Sequence, residues 1–320
     1  MNPPRRILIV RMGAMGDVIH ALPAAASLRH SLPQASLSWL IESRWAPLLA
    51  GDPFIDEVIP LDRRDVSSIR RVARGLRAQR FELAVDFQGL MKSALAATLA
   101  RPDRIFGFHP SQLRERIAGL TYSHYTEARA AHVVDRNLEL AADAGASILV
   151  RSFPLPQGRD PGGLPEGPFV LASPLAGWAA KEWPLENYHA LGRMIRRELD
   201  LDLVVAGPPD EHYRLGPHYW PSDLDGLIHA TRRATAVVGV DSGPIHLAAA
   251  LGKPGVAVYG PTDPARNGTY GGTIAVLRSA RASTSYRRLA EPDESMGEIA
   301  PAAVLEALKA RLATAAPLAP

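Results

Sequence analysis

"VVGVDSGPIHLAAALGKPGVAVYGPTDP", running from Val237 to Pro264, is the stretch whose reading decides the fold. Val237 to Val240 form an apolar run of strand length. Asp241-Ser242-Gly243 breaks it, and "GPIHLAAALG" then reads as a short helix. Pro244 suits the first turn, where its missing N–H costs nothing. Gly252-Lys253-Pro254 ends the helix, and "GVAVYG" is a second apolar run. A strand, a helix and a strand in that order argue for a parallel sheet covered on both faces.

The same alternation extends outward. Before the stretch come "FVLASP" as a strand, "PLENYHALGRMIRREL" as a helix, "LDLVVAG" as a strand and "DLDGLIHATRRA" as a helix. The N-terminal half repeats the pattern with strands in "RILIV", "ASLSWLI", "PFIDEVIPL", "FELAVDFQG" and "RIFGF". Helices are expected after "RMGAMGD", over the arginine-rich run and over "LMKSALAATLA". Between the halves, "RSFPLPQGRDPGGLPEGP" has five prolines and four glycines in eighteen residues, which reads as a linker.

The expected domains are therefore 1–152 and 168–300, both α/β and doubly wound. A closing helix over 301–320 is expected to pack back on the N-terminal domain. Ligands of open α/β sheets bind beyond the carboxyl ends of the strands, so the site is expected there, in a cleft between the domains.

Composition bounds the chemistry. The chain has 320 residues, 47% hydrophobic and 22% charged, which is an ordinary globular balance. No run of about 18 apolar residues exists to span a membrane. "MNPPRRILIV" is too short a run for a signal-peptide core, so a cytoplasmic location is expected. The absence of cysteine excludes disulfides, thiolate catalysis and cysteine-held zinc. The net charge is only +3, and no basic-aromatic repeat accompanies it, which argues against nucleic acid. There are just four lysines among 36 basic residues, so each lysine is worth locating.

Four places follow strands and carry chemistry. In "RMGAMGDVIHALP", Gly13 and Gly16 allow close backbone approach, and Asp17 falls in the first helical turn. The spacing is neither a dinucleotide fingerprint nor a phosphate loop. Asp17 reads either as an acid complementing the helix dipole or as a general base.

In the opening stretch, the free N–H groups before the helix make an anion site, with Ser242 as donor, Gly243 beside it and His246 on the same turn. Asp241 would repel a phosphate and is expected to orient Ser242 or a sugar hydroxyl. In "LAGWAAKEWP", Lys181 precedes a helix; it is either a surface lysine or the neutraliser of a leaving phosphate. In "VDFQGLMKSALAA", Lys92 lies one turn into a helix after Asp86 and Gln88. Arg63 and Arg64 open an arginine-rich run that is either a solvated helix face or an anion-binding surface.

The four pieces "MGDVIHALPA", "DFQGLMKSAL", "KEWP" and "VDSGPIHLAAALGKPGVAVYGPTDP", in that order along nearly the whole chain, resemble glycosyltransferase family 9. This is the family of ADP-heptose:lipopolysaccharide heptosyltransferases, and the likeness is nearest to its type I members. The resemblance implies a GT-B fold of two Rossmann-like domains facing a central cleft. It implies inverting transfer of heptose from ADP-heptose to an anionic Kdo-lipid A acceptor. No Asp-x-Asp metal motif stands in a plausible place, since "DLDGL" lies inside an expected helix, so catalysis with no cofactor and without an essential metal is expected. Asp17 would be the catalytic base. Gly13, Gly16, Lys181, Asp241, Ser242, Gly243 and His246 would belong to the donor site. Arg63, Arg64, Lys92 and Arg114 would contact the acceptor, at a peripheral position on the inner membrane. The alternatives are a relative moving another activated sugar and a non-catalytic nucleotide-sugar binder.

The chain departs from the family's pattern in three places. Ala176-Gly177-Trp178 stand where hydroxyl residues are common, the Pro208–Asp225 region is short, and the loop before the last helix lacks cysteines.

Overall fold

The computed structural model describes residues 4–211, 219–285 and 291–315, and these divide into two compact units, Met1–Pro156 and Gln157–Pro320. Each unit is a six-stranded sheet in which every pairing is parallel.

The first unit holds β1 (Arg6–Val10), β2 (Ser36–Glu42), β3 (Glu57–Leu61), β4 (Leu83–Asp86), β5 (Arg104–Phe108) and β6 (His124–Thr126), in the order β3-β2-β1-β4-β5-β6. Its helices are α1 (Met15–Ser31), α2 (Val66–Ala78), α3 (Met91–Leu99) and α4 (Val133–Asp143). The second unit holds β7 (Phe169–Ser173), β8 (Asp202–Gly207), β9 (Tyr219–Pro221), β10 (Ala236–Val240), β11 (Gly255–Tyr259) and β12 (Ile274–Arg278), in the order β12-β11-β10-β7-β8-β9. Its longer helices are α5 (Leu185–Leu199), α6 (Leu224–Arg233), α7 (Gly243–Ala250) and α8 (Pro301–Thr314).

The central strands are apolar on both faces because helices cover both. Ile7 to Val10 of β1 and all of β10 are buried. In the first unit the strand order reverses at β1. The connection through α1 runs one way and those through α2 and α3 the other, so right-handed crossovers put α1 on one face and α2 and α3 on the opposite one. α4 returns to pack on α1, where the Asn137 amide donates to the His20 carbonyl at 3.0 Å. α2 starts at Asp65, whose carboxylate accepts from the N–H groups of Ser67 and Ser68 at 2.8 and 3.1 Å. Val72 and Leu76 face inward, and Arg70, Arg74 and Arg77 are exposed.

The closing helix, α8, falls within the second unit. Its Val304, Leu305 and Leu308 are buried in the core of the second unit, beside Val256, Val258, Leu191 and Ile195. An apolar stripe at this spacing needs an apolar surface, and α5 with β11 and β12 supplies it. Three short strands that the alternation does not announce, β6, β9 and β12, lie at sheet edges, where burial is partial and the apolar pattern weak. No described helix is long and apolar enough to cross a membrane.

Candidate active-site residues

In each unit the chemistry-bearing residues sit where the parallel strands end. In the first unit β1 leads directly into Arg11. The Arg11 guanidinium is nearly buried; it donates through one nitrogen to the Phe87 carbonyl at 2.6 Å and through the other to the Asp17 carboxylate at 2.7 Å. Asp17 lies in the first turn of α1, and its other oxygen accepts from the Ala14 N–H at 3.1 Å. Its side chain remains 45% exposed, so a carboxylate fixed from two sides still faces solvent.

Gly16 lies in the same turn, after Met15. Gly13 is required by close approach: a Cβ there would lie 2.8 Å from the Trp45 indole nitrogen. That nitrogen has no hydrogen-bond partner among the described residues. The Gln88 amide oxygen accepts from the Met12 N–H at 2.9 Å, so the loop after β4 braces the loop after β1.

Beneath Gln88, the fully buried Asp86 accepts from the Tyr122 hydroxyl at 2.6 Å, the Ser93 hydroxyl at 2.8 Å and the Gln88 N–H at 2.8 Å. Burial pushes this carboxyl up despite those donors. The network ties the end of β4 to the start of α3, where Lys92 stands.

Glu42, the last residue of β2, gathers the cations. Its carboxylate pairs with Arg63 at 2.6 Å and Arg44 at 2.9 Å, and Lys92 stands 3.9 Å away. Burial lowers the Lys92 ammonium pKa, and the neighbouring Arg63 lowers it further, against the pull of Glu42 and Glu115. Arg114 is exposed next to Glu115, whose carboxylate accepts from the Met91 N–H at the start of α3 at 2.7 Å. Arg64 is exposed, and its backbone N–H donates to Asp62 at 2.8 Å. Arg63 and Lys92 thus share one carboxylate, and Arg114 adjoins the same helix start.

In the second unit β10 ends at Asp241. Its carboxylate takes the Lys181 ammonium at 3.0 Å on one oxygen and the His246 Nε2 at 3.3 Å on the other. All three side chains are at least nine-tenths buried. Burial alone would raise the Asp241 carboxyl, but the His246 hydrogen bond and the Lys181 charge outweigh it and hold it well below the usual carboxylate range. Asp241 therefore orients Lys181 and His246 rather than Ser242. The expectation overlooked that Lys181, sixty positions away in sequence, arrives from the loop after β7.

That ammonium also lies 4.3 Å from the centre of the Trp178 ring. The stretch that departs from the family's usual hydroxyls thus gives Lys181 an aromatic wall. Ser242 is the N-cap of α7 without using its hydroxyl as the cap, and that hydroxyl has no partner among the described residues. Gly243 opens the helix, so unpaired first-turn N–H groups and a free hydroxyl donor stand beside the Lys181–Asp241–His246 cluster. The short Pro208–Asp225 region and the cysteine-free loop lie partly outside the described residues.

Sequence reasoning did not single out Arg11, Glu42 or Trp178 for roles in these clusters. Arg11 and Glu42 carried a signal: each stands at or just past the carboxyl end of a strand, where the site was expected.

Comparison with known proteins identifies the family. Residues 69–295 match the profile of glycosyltransferase family 9 (heptosyltransferase), more than half of the chain. The chain is 30% identical over 304 residues to lipopolysaccharide heptosyltransferase 1 of Escherichia coli (strain K12), covering 86% of this chain and 94% of that protein. Its fold matches E. coli heptosyltransferase WaaC with ADP at a TM-score of 0.76 and 28% identity, over 96% of this chain and 99% of that one. It also matches WaaC with ADP-2-deoxy-2-fluoro heptose at 0.76 and 25% identity, over 95% and 99%. A two-unit parallel architecture, charged clusters at the strand ends and similarity over nearly the whole length lead to one conclusion: the chain belongs to glycosyltransferase family 9, the heptosyltransferases.

Proposed function

We propose that this protein transfers a heptose from ADP-heptose to the inner core of lipopolysaccharide, by inversion and without an essential metal. The similarity to lipopolysaccharide heptosyltransferase 1 and to WaaC holding ADP and an ADP-heptose analogue supports the donor and the product class. The observation that carries the chemistry is Asp17, a carboxylate held by Arg11 and the Ala14 N–H yet open to solvent.

Asp17 takes the proton of the acceptor hydroxyl as that oxygen attacks the anomeric carbon, opposite the departing ADP. A single displacement of this kind inverts the anomeric centre. Charge develops on the leaving diphosphate, and Lys181, the Ser242 hydroxyl and the first-turn N–H groups of α7 supply fixed positive ends for it. His246 and Asp241 hold Lys181 in place, and Gly13 and Gly16 leave backbone open to the donor. Because Lys181 and the N–H groups meet the charge, the step needs no metal.

Arg63, Arg64, Lys92 and Arg114 receive the anionic Kdo-lipid A acceptor; arginine forks suit its carboxylates and phosphates. A lipid-borne acceptor places the enzyme peripherally on the cytoplasmic face of the inner membrane.

The test is Asp17→Asn. The amide oxygen can keep one of the two acceptor contacts, to Arg11 or to the Ala14 N–H, but the side chain cannot take a proton. Transfer should fall ~10²–10⁴-fold, while the Kd for ADP stays unchanged. More than about a tenth of the original turnover would leave Asp17 as a helix-end acid only.

A further inference from the structure

Ten large apolar side chains are exposed among the described residues, and seven of them lie on α2, α3, β6 and the 3-10 turn Arg116–Thr121. The main ones are Val66 and Ile69 on α2, Leu95 and Leu99 on α3, and Ile117 and Leu120 on the turn, the last two 59% and 78% exposed. These elements adjoin one another. α2 packs beside α3, and α3 beside the turn. α2 and α3 cover the sheet face opposite α1, so their outer surfaces form one side of the first unit.

The same side is strongly basic. From residue 62 to 116, ten arginines are exposed against four exposed acids, Asp62, Asp65, Asp103 and Glu115. Three of those arginines are the acceptor contacts proposed above. The other seven, including Arg70, Arg74 and Arg77 on α2 and Arg116 on the turn, have no part in that reading.

Nothing in the fold's own stability asks for this combination. An exposed leucine is common, but seven of ten such side chains on adjoining elements are not a scatter. The kind of partner follows from the mixture. The core of a protein–protein interface is depleted of charge, and a second copy of this chain would bring arginine against arginine. Apolar side chains interspersed with arginines instead match a layer that is anionic at its surface and apolar just beneath it.

We propose that the α2–α3 side of the first unit is a membrane-docking surface for anionic lipid. Arg70, Arg74, Arg77 and Arg116 meet headgroup phosphates. Leu95, Ile117 and Leu120 enter the boundary between headgroups and acyl chains. The surface deepens the reading of a lipid-borne acceptor and rests on it for its purpose; the distribution of side chains is independent of it.

The test is co-sedimentation of the full chain with vesicles of phosphatidylcholine alone and of phosphatidylcholine with about one-third phosphatidylglycerol. The chain should bind the anionic vesicles and release as salt rises. The double variant Ile117→Asp/Leu120→Asp, and separately Leu95→Asp, should lower that partitioning roughly tenfold or more. Both should keep the original Tm and the original transfer rate on a deacylated, water-soluble acceptor.

Absence of binding to anionic vesicles, or variants that bind as the original does, would overturn the proposal. So would sedimentation showing that the variants abolish a self-associated form while vesicle binding is absent; the side would then be an interface between copies. If vesicle binding behaves as expected but no Kdo-bearing acceptor receives heptose, the functional reading fails and the surface stands. If transfer to the soluble acceptor proceeds and vesicles are ignored, the surface fails alone.

Discussion

Lys181 and Asp241 show how one residue can serve stability and binding at once. The pair is nearly buried, and the Asp241 carboxylate depends on Lys181 and His246 for its charge. Removing Lys181 alone leaves a buried carboxylate short of a cation, a loss of up to ~3–5 kcal/mol for such pairs. Lys181→Met should therefore lower Tm, and adding Asp241→Asn should restore most of it. ADP affinity should fall roughly ten- to a hundredfold in both variants, since a charge-assisted phosphate contact is worth ~1.5–3 kcal/mol. Calorimetric titration decides: an unchanged Kd for ADP would remove Lys181 from the donor site.

Asp52 is a residue of the opposite kind. Burial raises its carboxyl from 3.8 to about 6, against the Phe54 N–H bond and the Arg29 charge that favour ionisation. The folded pKa is above the unfolded one, so its contribution is fully present below about 4 and is lost as pH rises through 6. Asp52→Asn keeps an acceptor for the Phe54 N–H, now bonded at 2.7 Å, and removes the charge. It should raise Tm at pH 7 and leave it nearly unchanged at pH 4; an equal effect at both would disprove the charge argument.

At the scale of elements, α8 is the plainest case of a helix formed by its own periodicity and stabilised by a surface elsewhere in the chain. Leu308 is fully buried between α5 and the β11–β12 edge. Leu308→Ala should cost about 2–5 kcal/mol, seen as a lower urea midpoint for the second unit. A loss near zero would mean that α8 is an appendage.

α7 illustrates the converse, an element whose proposed role lies at its end. Its middle, Ile245 to Ala249, is buried, and the donor contacts proposed for it fall at the first turn, beside Ser242. α2 divides its roles by face, with Val72 and Leu76 inward and the arginines outward.

At the scale of the whole molecule, the two units carry different parts of the proposed reaction: the base, the acceptor cations and the glycines Gly13 and Gly16 on the first, and the charged and hydroxyl donor contacts on the second. Arg63→Glu/Arg64→Glu should therefore raise the acceptor KM and leave the donor KM nearly alone. Both side chains are exposed, so the acceptor effect should shrink as salt rises, given screening beyond ~8–10 Å at physiological ionic strength. Steady-state kinetics on a deacylated acceptor at two salt concentrations checks this. A rise in donor KM of the same size would disprove the division of labour.

The α/β class, the two units and the linker between them were legible because they follow from local rules. Buried parallel strands read as apolar runs, helices as periodic ones, and Pro and Gly mark the break. Asp17, Lys181 and the Asp241–His246 segment stood out because each falls just after a strand, where open α/β sheets place their ligands.

The tertiary structure decided which of these residues meet. Lys181 reaches Asp241 across sixty positions, Glu42 collects Arg63 and Lys92 from two other elements, and Arg11 turns back onto Asp17. Such pairings depend on which strand lies beside which, and strand order is set by packing rather than by local pattern. The seating of α8 has the same cause: periodicity specifies an apolar stripe, but only the finished sheets determine which surface is left to cover it.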